Sequence, residues 1–509
     1  MHRSRAASVL ALLLALLLAP SAGAQDNLGA PAAQPVEPSA IGSFTIRFDP
    51  SVLSGPYTGR VYVAITTGGR PEPRLRMGDW FRGGQVFSLD VKDVAPGGSV
   101  TLGAGSLAFP AAYAEAPAGD FFAQAVAKVN PDSPSPGRGA GDLYSEPTTV
   151  RFKPGSTGAL QLTLSRTVVE RPFRESDRVK VMDLVSPSLS AHYGRPFTMH
   201  AGIILPEGWT DDPSRHYPTL YFIGGFGGTH FSALQLAGPV MSDERAKHIL
   251  WVVPDPTCGL GHSVFADSAN NGPWGKALVQ ELIPAVEARY HGAGDGAHRF
   301  VTGISSGGWS SLWLQVTYPD AFAGCWSHSP DPVDFRDFQR IDLYAPDANM
   351  YRDAKGERRP LARATVNGQE QVSLWYDDFV RQETVMGDGG QIHSFEAVFS
   401  PRGDDGRPVP LFDRATGAVS PATAKAWEKY DIRLILERDW ATLGPKLKGK
   451  LHVYAGSEDN FYLEGAVKLL GACLQKLGSD AQVKIVEGMG HAIHQPGMQE
   501  MYKAIVGAN

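Results

Sequence analysis

The pentapeptide Gly303-Ile304-Ser305-Ser306-Gly307 constrains this chain more than any other feature of its sequence. It follows a short β-like run, 299–302, and precedes a helix-like run, 308–315. A G-x-S-x-G sequence between a strand and a helix is typical of a sharp turn that holds the central serine in strained backbone geometry. We therefore expect the hydroxyl of Ser305 to be exposed at the carboxyl edge of a sheet, in the position of a nucleophile.

A serine hydroxyl becomes an effective nucleophile only beside a base, and a carboxylate must orient that base. Both partners belong after later strands of the sheet, in the chain order serine, acid, histidine. His491 follows the last predicted strand and is the candidate base, with His494 as the alternative. Asp459 follows the strand before it and is the candidate acid, with Glu458 as the alternative.

The oxyanion that forms during acyl transfer requires preorganised backbone donors. One donor is expected to be the N–H of Ser306, directly after the nucleophile. The other is expected from the glycine-rich loop 224–228, where Phe226 or Gly225 is the candidate. The glycines of this loop also suit phosphate binding. However, the loop has neither a Gly-Lys-Ser/Thr ending nor G-x-G-x-x-G spacing, so we favour the oxyanion role.

The order of the predicted elements divides the chain into regions. Residues 1–24 have the basic start, apolar core and cleavage site of a signal peptide, and residues 25–40 are typical of a linker. Short strand-like runs separated by turns predict a β-sandwich-like accessory domain over 41–165. Over 166–509 strands alternate with helices, which predicts a mostly parallel sheet flanked by helices, with a cap insertion at about 330–449.

The individual elements follow from hydrophobic periodicity. In the first domain the predicted strands include 44–48, 60–65, 86–91 and 121–126. In the second domain the predicted strands are 199–205, 217–223, 248–253, 299–302, 323–329, 451–456 and 483–486. Predicted helices include 275–290 and 463–477.

Several segments resemble the putative-esterase family of α/β-hydrolases, which includes esterase D, feruloyl esterase and enterochelin-esterase types. They are Tyr221–Gly228, Asp267–Trp274 and Glu281–Pro284, together with the elbow at Ser305 and the later acid and histidine loops. The resemblance covers roughly residues 195–330 and 450–505. It implies an α/β-hydrolase fold and a serine-dependent carboxylic ester hydrolase that uses Ser305, Asp459 and His491, with no metal or organic cofactor.

Other residues lie in predicted loops near the expected cleft. His262, Asn271 and Trp274 are candidates for a substrate pocket, although Trp274 suits core packing equally well. Asp331 and Asp334 are close enough in sequence to bind a metal ion. A solvated loop is the interpretation we favour for this pair, so we predict no metal site.

Charge and the N-terminal pattern limit the partners of the chain. Its 509 residues carry a formal net charge of −6 and no Lys/Arg cluster, which argues against a nucleic-acid partner. We predict a secreted or periplasmic serine hydrolase that acts on a small-molecule or polymer-linked ester and has no transmembrane anchor after signal removal. A peptidase or acyltransferase on the same fold, and a catalytically inert binding protein, remain alternatives. The sequence makes no prediction of oligomeric state.

Overall fold

A computed structural model describes residues 39–507 of the chain. The predicted signal peptide and most of the predicted linker lie outside the described residues, so export stays a prediction. The chain forms two compact units. One unit extends to Val129 and includes Pro136–Val169, and the other combines Asn130–Ser135 with the chain from Glu170 onward. Within residues 39–507, none of the helices combines the length and hydrophobicity of a membrane-spanning segment.

The first unit consists of β-strands because short runs of alternating apolar residues dominate its sequence. In Ile41–Phe48, the side chains of Phe44, Ile46 and Phe48 are fully buried, and they alternate with less buried neighbours at the period of two that a strand requires. Phe44 stacks on Phe152 in the core. The β-sandwich assignment stays a prediction. The strands in the described part of this unit are Ile41–Phe48, Tyr57–Thr66, Gln85–Val94, Ser99–Leu102, Leu107–Phe109, Gly119–Ala127, Leu143–Tyr144, Thr148–Phe152, Gly158–Leu164 and Arg166–Thr167.

The second unit is organised around a mixed, eight-stranded sheet. The strands lie in the order β1-β2-β4-β3-β5-β6-β7-β8. Strand β2 runs antiparallel to both β1 and β4, and all other neighbouring strands are parallel. The carboxyl ends of β3 and of β5 to β8 therefore open at one edge of the sheet. These strands are β1 (Val179–Val185), β2 (Thr198–Ile204), β3 (Thr219–Ile223), β4 (Leu250–Pro254), β5 (Arg299–Ile304), β6 (Gly324–His328), β7 (Leu451–Gly456) and β8 (Gln482–Val486).

Strand β5 lies in the middle of this sheet, between β3 and β6. All of its residues except Ile304 are buried, as expected for a parallel strand that is covered on both faces. On one face of the sheet, Trp251 of β4 and Tyr454 of β7 pack with Met501 of the last helix. The strand that carries the predicted nucleophile is therefore held on all sides by the core.

Helices cover the sheet, and one of them differs from the sequence prediction. The helix predicted over 275–290 contains a π-helical turn at Leu278–Leu282. Pro284 follows this turn, and a proline both lacks an N–H and clashes with the carbonyl four residues earlier, which disrupts a regular α-helix. The predicted helix over 275–290 is confirmed as a continuous helical segment, and the π-helical turn within it was not predicted. The α-helices of the described chain are Pro187–Tyr193, Ser232–Ser242, Trp274–Ala277, Ile283–Tyr290, Ser306–Thr317, Tyr376–Met386, Gln391–Phe399, Pro421–Trp427, Ile432–Leu447, Glu464–Lys476 and Gln495–Val506.

The segment between β6 and β7 is structured throughout much of its length. It contains an antiparallel hairpin of Pro360–Val366 and Gln369–Trp375, which the sequence did not predict. Its last helix, Ile432–Leu447, packs against Ser306–Thr317 and thus belongs to the helical layer beside the sheet. The assignment of the preceding part as a cap stays a prediction.

Candidate active site

Ser305 occupies a strained turn between β5 and the helix Ser306–Thr317. Its backbone angles are φ 60° and ψ −125°, a region that residues with side chains rarely adopt. A Cβ on Gly303 would lie 2.3 Å from the carbonyl oxygen of Gly307, and a Cβ on Gly307 would lie 2.0 Å from that of Ile223. Only glycine permits this approach, so the G-x-S-x-G pattern follows directly from the packing of the turn.

His491 and Asp459 form a buried pair on the loops that follow β8 and β7. Nδ1 of His491 lies 2.9 Å from Oδ2 of Asp459, whose side chain is fully buried. Because a carboxylate only accepts hydrogen bonds, Nδ1 carries the proton and Nε2 is left as the acceptor. The backbone N–H of His491 donates to Oδ1 of Asn460 at 2.9 Å, which fixes the histidine loop to the acid loop.

The two alternative residues have other contacts. Glu458 is exposed, and its carboxylate accepts a hydrogen bond from the hydroxyl of Thr365 at 2.7 Å. His494 is the N-cap of the last helix, where its Nδ1 accepts from the backbone N–H of Gly497 at 3.2 Å. The structure thus pairs His491 with Asp459 and gives Glu458 and His494 separate, local roles.

The electrostatics of the pair favour an ionised acid beside a basic imidazole. Burial raises the pKa of Asp459, but the charge of His491 and the hydrogen bonds from it and from Phe461 lower that pKa more strongly, so the net shift is downward. Burial lowers the pKa of His491, whereas the charge and hydrogen bond of Asp459 and the charge of Asp331 raise it above its ordinary value. Each partner stabilises the charged form of the other.

The hydroxyl of Ser305 contacts a carboxylate that the sequence interpretation did not assign to the site. Ser305 Oγ donates to Oδ1 of Asp331 at 3.4 Å, and Ser306 Oγ donates to Oδ2 of Asp331 at 2.6 Å. Nε2 of Gln391, on a helix of the segment between β6 and β7, donates to Oδ2 at 3.2 Å. Asp331 therefore lies directly beside Ser305, in contact with residues from two helices.

The glycine-rich loop after β3 also reaches the nucleophile. A Cβ on Gly225 would lie 3.1 Å from Cβ of Ser305, so the loop backbone passes directly over the serine. Gly224 accepts a hydrogen bond at 3.1 Å from Nε2 of His262, whose Nδ1 accepts from the N–H of Val264 at 3.0 Å. Burial lowers the pKa of His262 to about 4, so a neutral imidazole supports this loop.

The remaining predicted pocket residues are buried. Asn271 is 1% exposed, and neither polar atom of its side-chain amide has a hydrogen-bond partner. Trp274 is also 1% exposed and packs edge-on against Phe197 and Phe265. These surroundings are those of core packing for Trp274. A role in a substrate pocket stays a prediction for Asn271 and Trp274, and for His262 beside the glycine loop.

The acid loop is braced by a residue of the unpredicted hairpin. Nε of Arg363 donates to the carbonyl of Asp459 at 2.9 Å, and the N–H of Arg363 donates to the carbonyl of Asn460 at 2.8 Å. Arg363, Tyr462 and Lys468 also line a cavity of about 560 Å³ that contains both basic and acidic side chains. This cavity adjoins the backbone of the acid loop, and Ser305 is not among the residues that line it.

The interpretation of Asp331 and Asp334 as a solvated loop was wrong. Asp331 is 6% exposed. Asp334 is fully buried and forms an ion pair with the buried Arg433. The sequence signal that could have placed Asp331 in the site was its position just after β6, since the carboxyl ends of parallel strands meet at one edge of the sheet. Among residues 39–507, no group of three His, Cys, Asp or Glu side chains has the arrangement of a metal site.

Residues 194–378 match the family model described as "Putative esterase". The match confirms the resemblance predicted from the sequence. It includes the glycine-rich loop, Ser305 and Asp331, and it ends before Asp459 and His491.

Two curated proteins are similar to part of the chain. They are esterases of Mycobacterium tuberculosis, from strains CDC 1551 / Oshkosh and H37Rv, and each is 29% identical over 161 residues. The aligned region covers 30% of this chain and 34% of each relative, so it spans about a third of the length of these proteins.

Solved structures with 14% sequence identity are also similar to part of the chain. The fluorophosphonate-binding serine hydrolase F of Staphylococcus aureus has a TM-score of 0.41, with 64% of this chain and 96% of that chain covered. An S-formylglutathione hydrolase of Agrobacterium tumefaciens has a TM-score of 0.37, with 64% and 92% covered. A ferulic acid esterase of Anaeromyces mucronatus has a TM-score of 0.33, with 66% and 92% covered.

Proposed function

We propose that the second unit is an α/β-hydrolase that cleaves a carboxylic ester through a covalent acyl-enzyme. Ser305 is the nucleophile, His491 the general base and Asp459 the orienting acid. The observation that carries the proposal is the buried His491–Asp459 pair, 2.9 Å apart, at the sheet edge where Ser305 is held in a strained turn. The chain order of serine, acid and histidine and the "Putative esterase" match support the same assignment.

The proton moves along a path that the tautomer of His491 defines. Nδ1–H donates to Asp459, so Nε2 accepts the proton of the Ser305 hydroxyl as Oγ attacks the ester carbonyl. The imidazolium that results is stabilised by the carboxylate of Asp459. His491 then gives this proton to the departing alcohol, and an acyl group remains on Ser305. Water then attacks the acyl-enzyme through the same proton transfers and releases the carboxylic acid.

The resting hydroxyl of Ser305 must turn before it attacks. Its hydrogen bond to Asp331 is long, at 3.4 Å, and rotation about the Cα–Cβ bond is sufficient to redirect it. Catalytic hydrogen bonds are often loose in ligand-free enzymes and tighten when substrate binds. We propose that substrate binding replaces the contact with Asp331 by one with Nε2 of His491.

The oxyanion is stabilised by backbone donors on two sides of the nucleophile. Ser306 is the first residue of its helix, so its N–H has no partner within the helix and points toward the site. The second donor is the N–H of Phe226 or of Gly225, because this loop passes over Ser305. Loss of one such donor in a serine hydrolase lowers kcat by about 10²–10³-fold.

Kinetics of matched variants on a short-chain aryl ester test the proposal. Ser305→Ala is expected to abolish turnover, and Asp459→Asn is expected to lower kcat by about 10⁴-fold, because the amide favours the wrong tautomer of His491. Glu458→Gln is the matched control, since this adjacent carboxylate is exposed and bonded to Thr365. Full activity of Ser305→Ala would refute the assignment of the nucleophile.

The same assay distinguishes the alternatives. Cleavage of the matching amide at a comparable rate would favour a peptidase, and faster turnover on addition of an alcohol would favour an acyltransferase. An absence of turnover together with no labelling by a fluorophosphonate probe would favour an inert binding protein.

A further inference from the structure

Asp331 is an anionic group held at the nucleophile without a cation to balance it. Its carboxylate accepts from Ser305 Oγ at 3.4 Å, from Ser306 Oγ at 2.6 Å and from Gln391 Nε2 at 3.2 Å. All three donors are neutral. The backbone N–H of Asp331 donates to the carbonyl of Ser305 at 3.1 Å, which fixes the residue in this position.

The charges around Asp331 do not compensate for its burial. Within residues 39–507, no Lys or Arg forms an ion pair with its carboxylate, and the charge of His491 lowers its pKa by less than burial raises it. Burial is the main cause that raises the pKa of Asp331 to about 6. His491 must be neutral to act as a base. A buried carboxylate without a counter-charge is costly, and a cation that binds there removes the cost.

A second acceptor lies beside this carboxylate. Oε1 of Gln391 is buried and has no hydrogen-bond partner in the protein. A protonated amine has three N–H donors and no acceptor, so it matches a carboxylate and a carbonyl oxygen that lie side by side. A hydroxyl would satisfy one of these acceptors but would leave the charge of Asp331 unbalanced.

The position of Asp331 selects which part of a substrate it contacts. An ester that is bound for attack places its carbonyl carbon next to Oγ of Ser305. A substituent on the neighbouring α carbon lies about 2.5 Å from that carbonyl carbon because of fixed bond lengths and angles. Oδ1 of Asp331 lies 3.4 Å from the same Oγ, so these distances allow the α substituent of the acyl group to reach the carboxylate.

We propose that Asp331 and Gln391 form a recognition site for a protonated amine on the acyl group, and that the preferred substrates are α-aminoacyl esters. This inference rests on the proposed function of Ser305. Asp331 is then a specificity-determining residue that binds the ammonium group, and Gln391 provides the second acceptor. Esters whose acyl group carries a carboxylate are rejected by the same charge.

A pair of isosteric substrates tests the proposal. Ethyl alaninate and ethyl 2-methylpropanoate differ only in an ammonium group that replaces a methyl group. We expect wild-type protein at about pH 7 to have a kcat/KM at least about 10-fold higher for ethyl alaninate, the factor expected of one hydrogen bond to a charged group. Asp331→Asn is expected to lose most of this ratio, and the ratio rather than either rate alone is the readout, because Asp331 also acts on His491.

Further variants keep the outcome clear. Gln391→Leu is expected to lower the same ratio by a smaller factor, and Glu458→Gln is expected to leave it unchanged. Equal rates on both esters in wild-type protein, or an equal loss on both esters in Asp331→Asn, would overturn the recognition site. If Ser305→Ala cleaves both esters as fast as the wild-type protein does, the proposed function is overturned instead. The two failures are therefore distinguishable.

Discussion

At the scale of single residues, two buried carboxylates in one site have pKa values shifted in opposite directions. Asp459 has a pKa below its ordinary value because of His491 and its hydrogen bonds, although burial opposes this shift. Asp331 has a pKa of about 6, mainly because of burial. Divergent pKa values in neighbouring acids are a common way to give them different roles. The surroundings of Asp459 thus favour its ionised form beside His491, whereas burial favours the neutral form of Asp331.

The pH dependence of activity tests the charges that act on His491. Its pKa lies above its ordinary value of 6.5, because Asp459 and Asp331 together outweigh the effect of burial. Only the neutral imidazole accepts a proton, so kcat/KM for a neutral ester should rise with pH through this raised pKa. Asp331→Asn removes a negative charge that favours the imidazolium, so the acid limb of the profile should move to lower pH.

The control for this measurement is Glu458→Gln, which removes an exposed carboxylate that is not among the groups that shift His491. Its pH profile should match that of the wild-type protein. An acid limb that keeps its position in Asp331→Asn would contradict the placement of this carboxylate beside the base.

Residue types and spacing were sufficient to predict some of these positions. Ser305, Asp459 and His491 could be proposed because each follows a strand in the order that the chemistry requires. Asp331 also follows a strand, β6, but its contacts with Ser306 on one helix and Gln391 on another could not be predicted from that position. Its burial depends on tertiary packing, which local sequence does not encode.

At the scale of elements, the turn between β5 and its helix requires glycine, which has no side chain, where backbone atoms come close together. A Cβ on Gly307 would lie 2.0 Å from the carbonyl oxygen of Ile223, which belongs to the neighbouring strand β3. Backbone atoms in the centre of a sheet cannot move aside cheaply. Gly307→Ala is therefore expected to destabilise the protein by about 3 kcal/mol or more and to abolish activity.

Gly238→Ala is the matched control for this substitution. Gly238 lies within the helix Ser232–Ser242, and nothing lies within 4 Å of a Cβ built there. The gain of about 0.5–1 kcal/mol expected of alanine in a helix is offset by crowding of its Cβ against Pro239, so only a small change in stability is expected. Thermal denaturation of both variants measures the difference. A Gly307→Ala protein as stable and active as Gly238→Ala would contradict the close packing of the turn.

Element prediction succeeded where hydrophobic periodicity was strong and failed where backbone chemistry competed with it. All seven strands predicted in the second domain overlap strands of the eight-stranded sheet, and β1 was not predicted. The helix predicted over 275–290 was found, but Pro284 is preceded by a π-helical turn that periodicity did not predict. The hairpin 360–375 was missed because six of its residues are exposed charged or polar side chains without a repeating apolar pattern.

At the scale of the whole molecule, the candidate site is assembled from segments that are far apart in sequence. Parallel pairing of β5, β6, β7 and β8 brings their carboxyl ends to one edge. The segment between β6 and β7 then contributes Gln391 beside Asp331 and Arg363 beside the acid loop. The sequence predicted the order of these parts, but the contacts of the inserted segment depend on its tertiary packing.

The formation of an acyl-enzyme on Ser305 is the central claim, and mass spectrometry of the intact protein tests it most directly. After brief incubation with an excess of an aryl ester and acid quenching, the mass should increase by that of one acyl group. Peptide mapping should place the group on Ser305, and Ser305→Ala should show no increase. Turnover of the ester without any adduct, or an adduct that maps to another residue and persists in Ser305→Ala, would contradict the account.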